Sequence, residues 1–138
     1  MNKYHNQKIV VDGITFDSKD EAKYYEVLKI RKAKGEILNF ELQPQFILQE
    51  GFRKSGKAYR PITYKADFRV YKLDGTSYVV DVKGILTDVF NIKLKLFNAR
   101  YDEELKLVCR SLKYGNKYGF IDYYELQKIR RKNKKMIY

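Results

Sequence analysis

The sequence predicts an α/β domain, with a small mixed sheet of about four or five strands flanked by helices. Two observations support this class. Extended apolar segments alternate with amphipathic helical segments along the chain. Hydrophobic residues make up 44% of the 138 residues, which is enough for one sizeable core. No internal repeat or low-complexity tract divides the chain, so we expect one domain over 1–138, with a basic C-terminal helix and tail from about 120 to 138.

The first predicted elements are a hairpin and a helix. Residues 8–17 contain two short apolar segments around an Asp-Gly dipeptide, which is typical of a two-residue hairpin turn. Ser18 and Glu21 form the Ser-x-x-Glu capping box of a helix. This helix continues to Lys34, where a glycine follows as a suitable C-terminal stop.

The rest of the chain alternates extended and helical patterns. Extended segments are predicted at 37–49, 62–71, 76–83 and 105–110, and helices at 87–101 and 120–135. Pro44 argues against a central strand position in the first of these segments. The predicted inner side of the helix at 87–101 carries Val89, Ile92, Leu96 and Phe97.

Composition narrows the function. The chain has 29 Lys and Arg against 17 Asp and Glu, a net charge of +12, which predicts a polyanionic partner and nucleic acid before an acidic membrane. The single cysteine, Cys109, is expected to be buried and cannot form an internal disulfide or a four-cysteine zinc site. The single histidine, His5, excludes histidine-pair nucleases and disfavours a Ser-His-Asp triad. No bilayer-length apolar run or signal peptide is present, so an intracellular protein is expected.

The segment VVDVKG, residues 79–84, carries charge inside an apolar strand. Asp81 and Lys83 are two residues apart, so their side chains point to the same face. Asp67 interrupts the preceding strand in the same way. A two-residue turn between these strands would place the two aspartates on opposite faces. A three-residue turn that ends at Gly75 would pair Lys72 with Thr76, Asp67 with Asp81 and Lys65 with Lys83, and the glycine at its third position favours this register.

Two opposed carboxylates about 5 Å apart repel each other unless they share a proton or hold a cation. A divalent ion such as Mg²⁺ or Mn²⁺ suits oxygen ligands. The alternative is an exposed Asp81–Lys83 ion pair worth about 0.5 kcal/mol. With Asp67 opposite and valines on both sides, a functional site is the favoured interpretation.

An aspartate, a hairpin and an Asp-x-Lys triplet, after a helix that bears Glu21, resemble the PD-(D/E)XK nuclease superfamily. The segments GITFDSKDEAKYY, LQPQFILQEGF, RPITYKADF and VVDVKGILTDVFNIKLKLF are more closely similar to a family of small phage-encoded proteins within it. This similarity runs through most of residues 8–110 and implies a restriction-endonuclease-like core of helix, three strands, helix and strand. A phage origin would place the protein in the host cytoplasm.

The resemblance implies specific roles. Asp67, Asp81 and the Val82 carbonyl would bind the metal, Lys83 would be the catalytic lysine, and Glu21 would be a further ligand. Glu21 is explained about equally well as a helix cap, and Glu26 is a weaker alternative. Departures from the superfamily pattern are Ala66 where proline is frequent, Asp81 where glutamate is commoner, and Asn91, Lys93 and Lys95 where some members place a glutamine and a tyrosine.

Basic residues outside this constellation are predicted to bind DNA phosphates: Arg53, Lys54, Lys57, Arg60, Lys93, Lys95, Arg130 and Arg131. The expected function is a Mg²⁺-dependent DNA endonuclease, directed to branched or structured DNA in the manner of a Holliday-junction resolvase, because phosphate contacts carry no sequence information. Two-fold junctions would suit a homodimer. A nucleic-acid-binding protein of the same fold that does not cut is the alternative. A membrane adaptor is disfavoured because no long amphipathic basic helix precedes residue 120.

Overall fold

The computed structural model describes residues 7–137, so His5 lies outside the described residues. Within this range the chain forms a mixed α/β structure with three helices: α1 (Lys19–Ala33), α2 (Asp88–Arg100) and α3 (Tyr123–Ile137). The strands are β1 (Ile9–Val11), β2 (Ile14–Phe16), β3 (Asn39–Leu42), β4 (Gln45–Gln49), β5 (Phe52–Lys54), β6 (Lys57–Tyr59), β7 (Ile62–Lys65), β8 (Phe68–Tyr71), β9 (Ser77–Val82), β10 (Glu104–Arg110) and β11 (Phe120–Asp122). None of the helices in this range is long and apolar enough to cross a bilayer.

The N-terminal predictions are confirmed. β1 and β2 pair as an antiparallel hairpin, and Asp12 and Gly13 at its turn both have positive φ, as a primed turn requires. Ser18 is the N-cap of α1 and its hydroxyl accepts a hydrogen bond from the Glu21 N–H at 3.1 Å. Gly35, with φ of 75°, follows the helix as its left-handed stop.

The five-stranded sheet has the order β11-β10-β9-β8-β3. Only β9 and β10 are parallel, and α2 makes the crossover between them. Val80 of β9 packs with Phe68 and α1 on one face, whereas Val79 packs with α2 on the other face. β9 is therefore covered on both faces, which explains its apolar sequence and makes any charge on it expensive.

The predicted register between β8 and β9 is confirmed. Phe68 pairs with Val80, and the Lys72 N–H donates to the Thr76 carbonyl at 2.7 Å. Gly75 closes this three-residue turn with φ of 88°, a conformation that favours glycine. One step beyond the first pair, the same register places residue 67 opposite residue 81.

The extended segment 62–71 does not form one continuous strand. It divides at Ala66 and Asp67, where β7 leaves the sheet and pairs with β4 instead of β9. Lys65 consequently lies opposite Gln45, and the predicted pairing of Lys65 with Lys83 is wrong. The division follows from the hydrogen bonds at Asp67, whose N–H bonds to a side chain instead of a neighbouring strand.

The ends and faces of the later helices also differ from prediction. Val89 and Ile92 of α2 are 65% and 62% exposed, although they were predicted to face inward. The prediction is confirmed for the other two residues, since Phe97 is fully buried and Leu96 packs against the same cluster. Phe90, which was not predicted, is buried with them in place of Val89 and Ile92. The last helix begins at Tyr123, because residues 120–122 pair with β10 as a strand.

Residues 45–65 form two successive antiparallel hairpin segments, here called the ribbon. Its inner segment, β4 with β7, packs on α2 through Phe46 and Tyr64. Its outer segment, the tip hairpin (residues 52–59), projects with every residue exposed. A side chain at Gly51 would lie 3.1 Å from both the Tyr59 carbonyl and Pro61, so the two segments meet at a tight neck.

Candidate functional site

The site is built where β8 ends and β9 runs past it. The Asp67 N–H donates to Asp81 Oδ1 at 2.8 Å, and the Val82 N–H donates to Asp67 Oδ2 at 2.8 Å. Each aspartate therefore accepts a backbone hydrogen bond from the other's strand. This exchange confirms that the two side chains lie on the same side of the sheet and close together.

Asp81 is almost fully buried, at 1% exposure. Its second oxygen, Oδ2, accepts a hydrogen bond from the Tyr64 hydroxyl and lies 3.7 Å from the Lys83 ammonium. Lys83 also lies over the Phe90 ring, with its nitrogen 4.3 Å from the centroid. The Asp81 carboxylate is thus fixed from three directions, and Lys83 is held against it by the aromatic side of α2.

Glu21 comes to the same place from the first turn of α1. It is 5% exposed, yet it lines a cleft of about 440 Å³ together with Asp67, Val82 and Lys83. The Glu21 backbone N–H donates to the Ser18 hydroxyl, which is one half of the predicted capping box. The Glu21 carboxylate lines the cleft, and its role as a metal ligand stays a prediction.

The electrostatics of the cleft penalise the ionised carboxylates. Burial, with the Asp81 charge next and Glu21 after it, raises the pKa of Asp67 to about 8. Burial, with the neighbouring charge of Asp17 next, raises the pKa of Glu21 to about 7. Lys83 lowers both pKa values but supplies only one positive charge. The fold therefore concentrates acidic groups without the cations that would neutralise them.

A second charged group on the same face of β8 shows the contrast. Arg69 donates to both oxygens of Glu103 at 2.9 and 3.0 Å and to Glu41 at 2.6 Å. These hydrogen bonds raise the pKa of Arg69 above its usual range. The positive charge of Arg69 is thus neutralised by two carboxylates at hydrogen-bond distance. The carboxylates of the cleft, in contrast, share the single positive charge of Lys83.

The donor set in the cleft fits Mg²⁺ chemistry. Among residues 7–137, no group of three or more Asp, Glu, His and Cys side chains converges closely enough to hold a metal by side chains alone. Mg²⁺ commonly takes one or two carboxylates and completes its shell with water and substrate phosphate. Asp67 and Glu21 supply the carboxylates at the cleft wall. The Val82 carbonyl points to the same strand edge as the Val82 N–H, which faces Asp67.

The predicted phosphate-binding residues lie elsewhere. Of the basic residues named from the sequence, Arg53, Lys54, Lys57 and Arg60 lie on or beside the tip hairpin, Lys93 and Lys95 on α2, and Arg130 and Arg131 on α3. The residues that line the cleft in the described chain include none of these eight. All except Lys93 are exposed. Cys109 is buried, as expected.

Sequence reasoning missed Tyr64. Its hydroxyl binds Asp81 across 17 positions, and burial, with the Asp81 charge next, raises its pKa above the usual range. The one signal in the sequence is its place three residues before Asp67 in ITYKAD. On one continuous strand, side chains three positions apart point to opposite faces, so Tyr64 would not be expected to contact the aspartates. The division of the strand at Ala66 and Asp67, which allows the contact, has no signal in that spacing.

Replacing Tyr64 by phenylalanine is expected to lower the free energy of unfolding by about 1–3 kcal/mol, because a buried carboxylate oxygen loses its strongest donor. Chemical denaturation measures this change. The matched control is Tyr101→Phe, which removes a hydroxyl that donates to the exposed-side carbonyl of Ile47 at 2.8 Å. Equal losses in the two variants would show that the Tyr64–Asp81 hydrogen bond has no special weight.

A comparison with known families identifies the chain's family. The family described as "Protein of unknown function (DUF1064)" matches residues 1–116, and the chain belongs to it. No curated protein matches the chain.

Proposed function

We propose that this protein is a metal-dependent endonuclease of the PD-(D/E)XK type that hydrolyses phosphodiester bonds in DNA. The observation that carries the proposal is the paired placement of Asp67 and Asp81, with Lys83 beside them and Glu21 completing the cleft. Buried carboxylates with raised pKa values and one lysine are costly for stability. Such a cost is typical of sites whose charges serve a ligand or a reaction.

Each residue has a defined role in this proposal. Asp67, Glu21 and the Val82 carbonyl would hold Mg²⁺ at the cleft, and Asp81 would join them by giving up one of its protein hydrogen bonds. The bound ion would neutralise phosphate charge and make a water more acidic. Asp81 also holds the backbone of Asp67 in place through its hydrogen bond. Lys83, half-exposed at the cleft, orients the attacking water or stabilises the negative charge that develops on the phosphate.

The substrate class follows from charge and from the distribution of basic side chains. The net charge of +12 suits a polyanion, and the predicted phosphate-binding residues lie on three elements, the tip hairpin, α2 and α3. Contacts of this kind fix the position of a backbone and do not read bases. Branched or structured DNA, as in junction resolution, is therefore the proposed substrate, and a homodimer would act on both strands.

The alternative is a protein of the same fold that binds nucleic acid without cutting it. One observation favours this reading: the Asp81 oxygens accept protein hydrogen bonds from Tyr64 and Asp67 in the described structure. A metal bound through Asp81 would compete with those donors. The two functions differ in whether DNA is nicked when Mg²⁺ is supplied.

Supercoiled plasmid and a four-way junction, each with Mg²⁺, Mn²⁺ or Ca²⁺, test the proposal. The wild type is expected to nick with Mg²⁺ or Mn²⁺ and not with Ca²⁺. Lys83→Ala, Asp81→Asn and Glu21→Gln should each reduce the nicking rate by at least about 100-fold while DNA binding persists. Lys32→Ala, at an exposed lysine of α1, is the matched control and should cut normally. A pure wild type that binds these DNAs but never nicks them would establish the alternative.

A further inference from the structure

The tip hairpin carries an arrangement that the cleavage site does not use. Phe52 and Tyr59 are register partners whose rings stack at a centroid distance of 4.8 Å and an interplanar angle of 11°. They are 46% and 41% exposed. Large aromatic residues normally gain stability by burial, so a stacked pair in solvent is an unused apolar surface.

The same face of the tip hairpin is basic. Side chains two positions apart in a strand share a face, so Lys54 and Lys57 lie on the face of the aromatic pair. These two lysines are directly opposed in the register, an arrangement that is destabilising for like charges. The Lys57 ammonium lies 5.2 Å from the Tyr59 ring centroid. Between Gly51 and Ala66 the sequence contains no acidic residue that could neutralise them.

We infer that this face of the tip hairpin binds unpaired nucleotides, with bases stacked on Phe52 and Tyr59 and phosphates bound by Lys54 and Lys57. Stacking on aromatic side chains needs exposed base faces, which single strands, flaps and branch points offer and a continuous duplex does not. A phosphate between the two opposed lysines would neutralise their charges and relieve the repulsion between them. The inference rests on the proposal that the protein acts on nucleic acid, and it names the strand state that is recognised.

The ribbon connects this face to the cleft. Tyr59 and Asp67 are eight positions apart in the sequence, and at about 3.3 Å per residue the two lie at most about 27 Å apart along the chain. The inner segment is anchored on α2 by Phe46 and Tyr64, and a Cβ at Gly51 would make tight contacts of 3.1 Å with Pro61 and the Tyr59 carbonyl at the neck. The tip hairpin is thus covalently connected to β7, the strand that carries Tyr64. A nucleic acid that contacts both the tip hairpin and the carboxylates would span at most about eight base steps at about 3.4 Å each.

Binding without divalent ions tests the inference independently of cleavage. Fluorescence anisotropy is measured in a chelating buffer with the full chain and three labelled DNAs: a single strand, a duplex with a single-stranded tail, and a blunt duplex. A single-stranded RNA of the same sequence shows whether the sugar matters. Phe52→Leu/Tyr59→Leu is expected to weaken binding to the single strand and the tailed duplex at least about tenfold, and to change blunt-duplex binding less than about twofold.

Two further variants complete the design. Tyr124→Leu, at a tyrosine of α3 that is 47% exposed, is the matched aromatic control and should bind all DNAs as the wild type does. Lys54→Gln/Lys57→Gln should weaken single-strand binding and reduce its salt slope by about 1.4, whereas Lys32→Gln should reduce the slope less. Circular dichroism and the unfolding midpoint confirm that each variant is folded.

The outcomes separate this inference from the proposed function. If Phe52→Leu/Tyr59→Leu binds the single strand as tightly as Tyr124→Leu does, or weakens all three DNAs equally, the inference is overturned even for an active nuclease. If the wild type never nicks DNA but the leucine variant loses single-strand binding selectively, the inference stands and the proposed function fails.

Discussion

Replacing Asp67 by asparagine is expected to stabilise the metal-free protein and at the same time to abolish DNA cleavage. Asparagine has the shape of aspartate and keeps an oxygen that can accept from the Val82 N–H. The substitution removes a negative charge that is destabilised by burial and by repulsion from Asp81 and Glu21. At about pH 8 the free energy of unfolding should rise by at least about 1 kcal/mol, whereas nicking with Mg²⁺ should fall at least about 100-fold.

Denaturant unfolding in chelating buffer and plasmid nicking measure the two effects on the same preparations. Asp102→Asn is the matched control, because Asp102 is exposed and has an ordinary surface position after α2. It should change neither quantity appreciably. An Asp67→Asn protein that is less stable than the wild type and still cuts would show that the two aspartates are only a structural hydrogen-bonded pair.

The stability of the metal-free protein is expected to fall as pH rises from about 4 to about 8, and Mg²⁺ is expected to reverse that fall. The pKa of Asp67 rises from an ordinary 3.8 to about 8 on folding, and the pKa of Glu21 rises from 4.5 to about 7. Between these limits the folded chain binds more protons than the unfolded chain, so each added pH unit favours unfolding. Above about pH 8 both groups are ionised in both states and this contribution levels off.

Thermal unfolding at about pH 5.5 and about pH 8.5, with and without Mg²⁺, measures this coupling. Mg²⁺ binds ionised carboxylates and displaces their protons, so its stabilising effect should be larger at the higher pH. At the higher pH we expect Mg²⁺ to raise the free energy of unfolding by at least about 1 kcal/mol, which corresponds to an increase in Tm of roughly 2–8 °C. Asp67→Asn should reduce the difference between the Mg²⁺ effects at the two pH values, and the remainder should come from Glu21. An equal effect of Mg²⁺ at both pH values in the wild type would contradict a carboxylate site.

Local chemistry explains which parts of the fold were predictable. The register of β8 and β9 depends on Gly75, since a left-handed third turn position selects the three-residue loop. The pairing of Asp67 with Asp81 follows from that one glycine. The start of α1 follows in the same way from Ser18 and its side-chain hydrogen bond. In both cases a few adjacent residues determine the backbone, so the sequence alone is sufficient.

The errors arise where distant packing decides. Phe97 of α2 was correctly predicted to face inward, but only contact with β4 and β9 selects Phe90 over Val89 and Ile92 as its buried neighbour. The division of the segment 62–71 depends on β4 as a new partner. Tyr64 reaches Asp81 only after that division, so its place three residues before Asp67 did not predict the hydrogen bond between Tyr64 and Asp81.

The origin of Glu21 in α1 has a consequence for the order of folding. Asp67 and Asp81 lie in one hairpin, fourteen positions apart, and can meet through local contacts. Glu21 joins the two aspartates only when α1 docks on the sheet. The repulsion between the Glu21 carboxylate and the aspartate carboxylates therefore arises in that docking step. At alkaline pH without a cation, hydrogen exchange should therefore accelerate first in α1, while the β8–β9 hairpin remains protected.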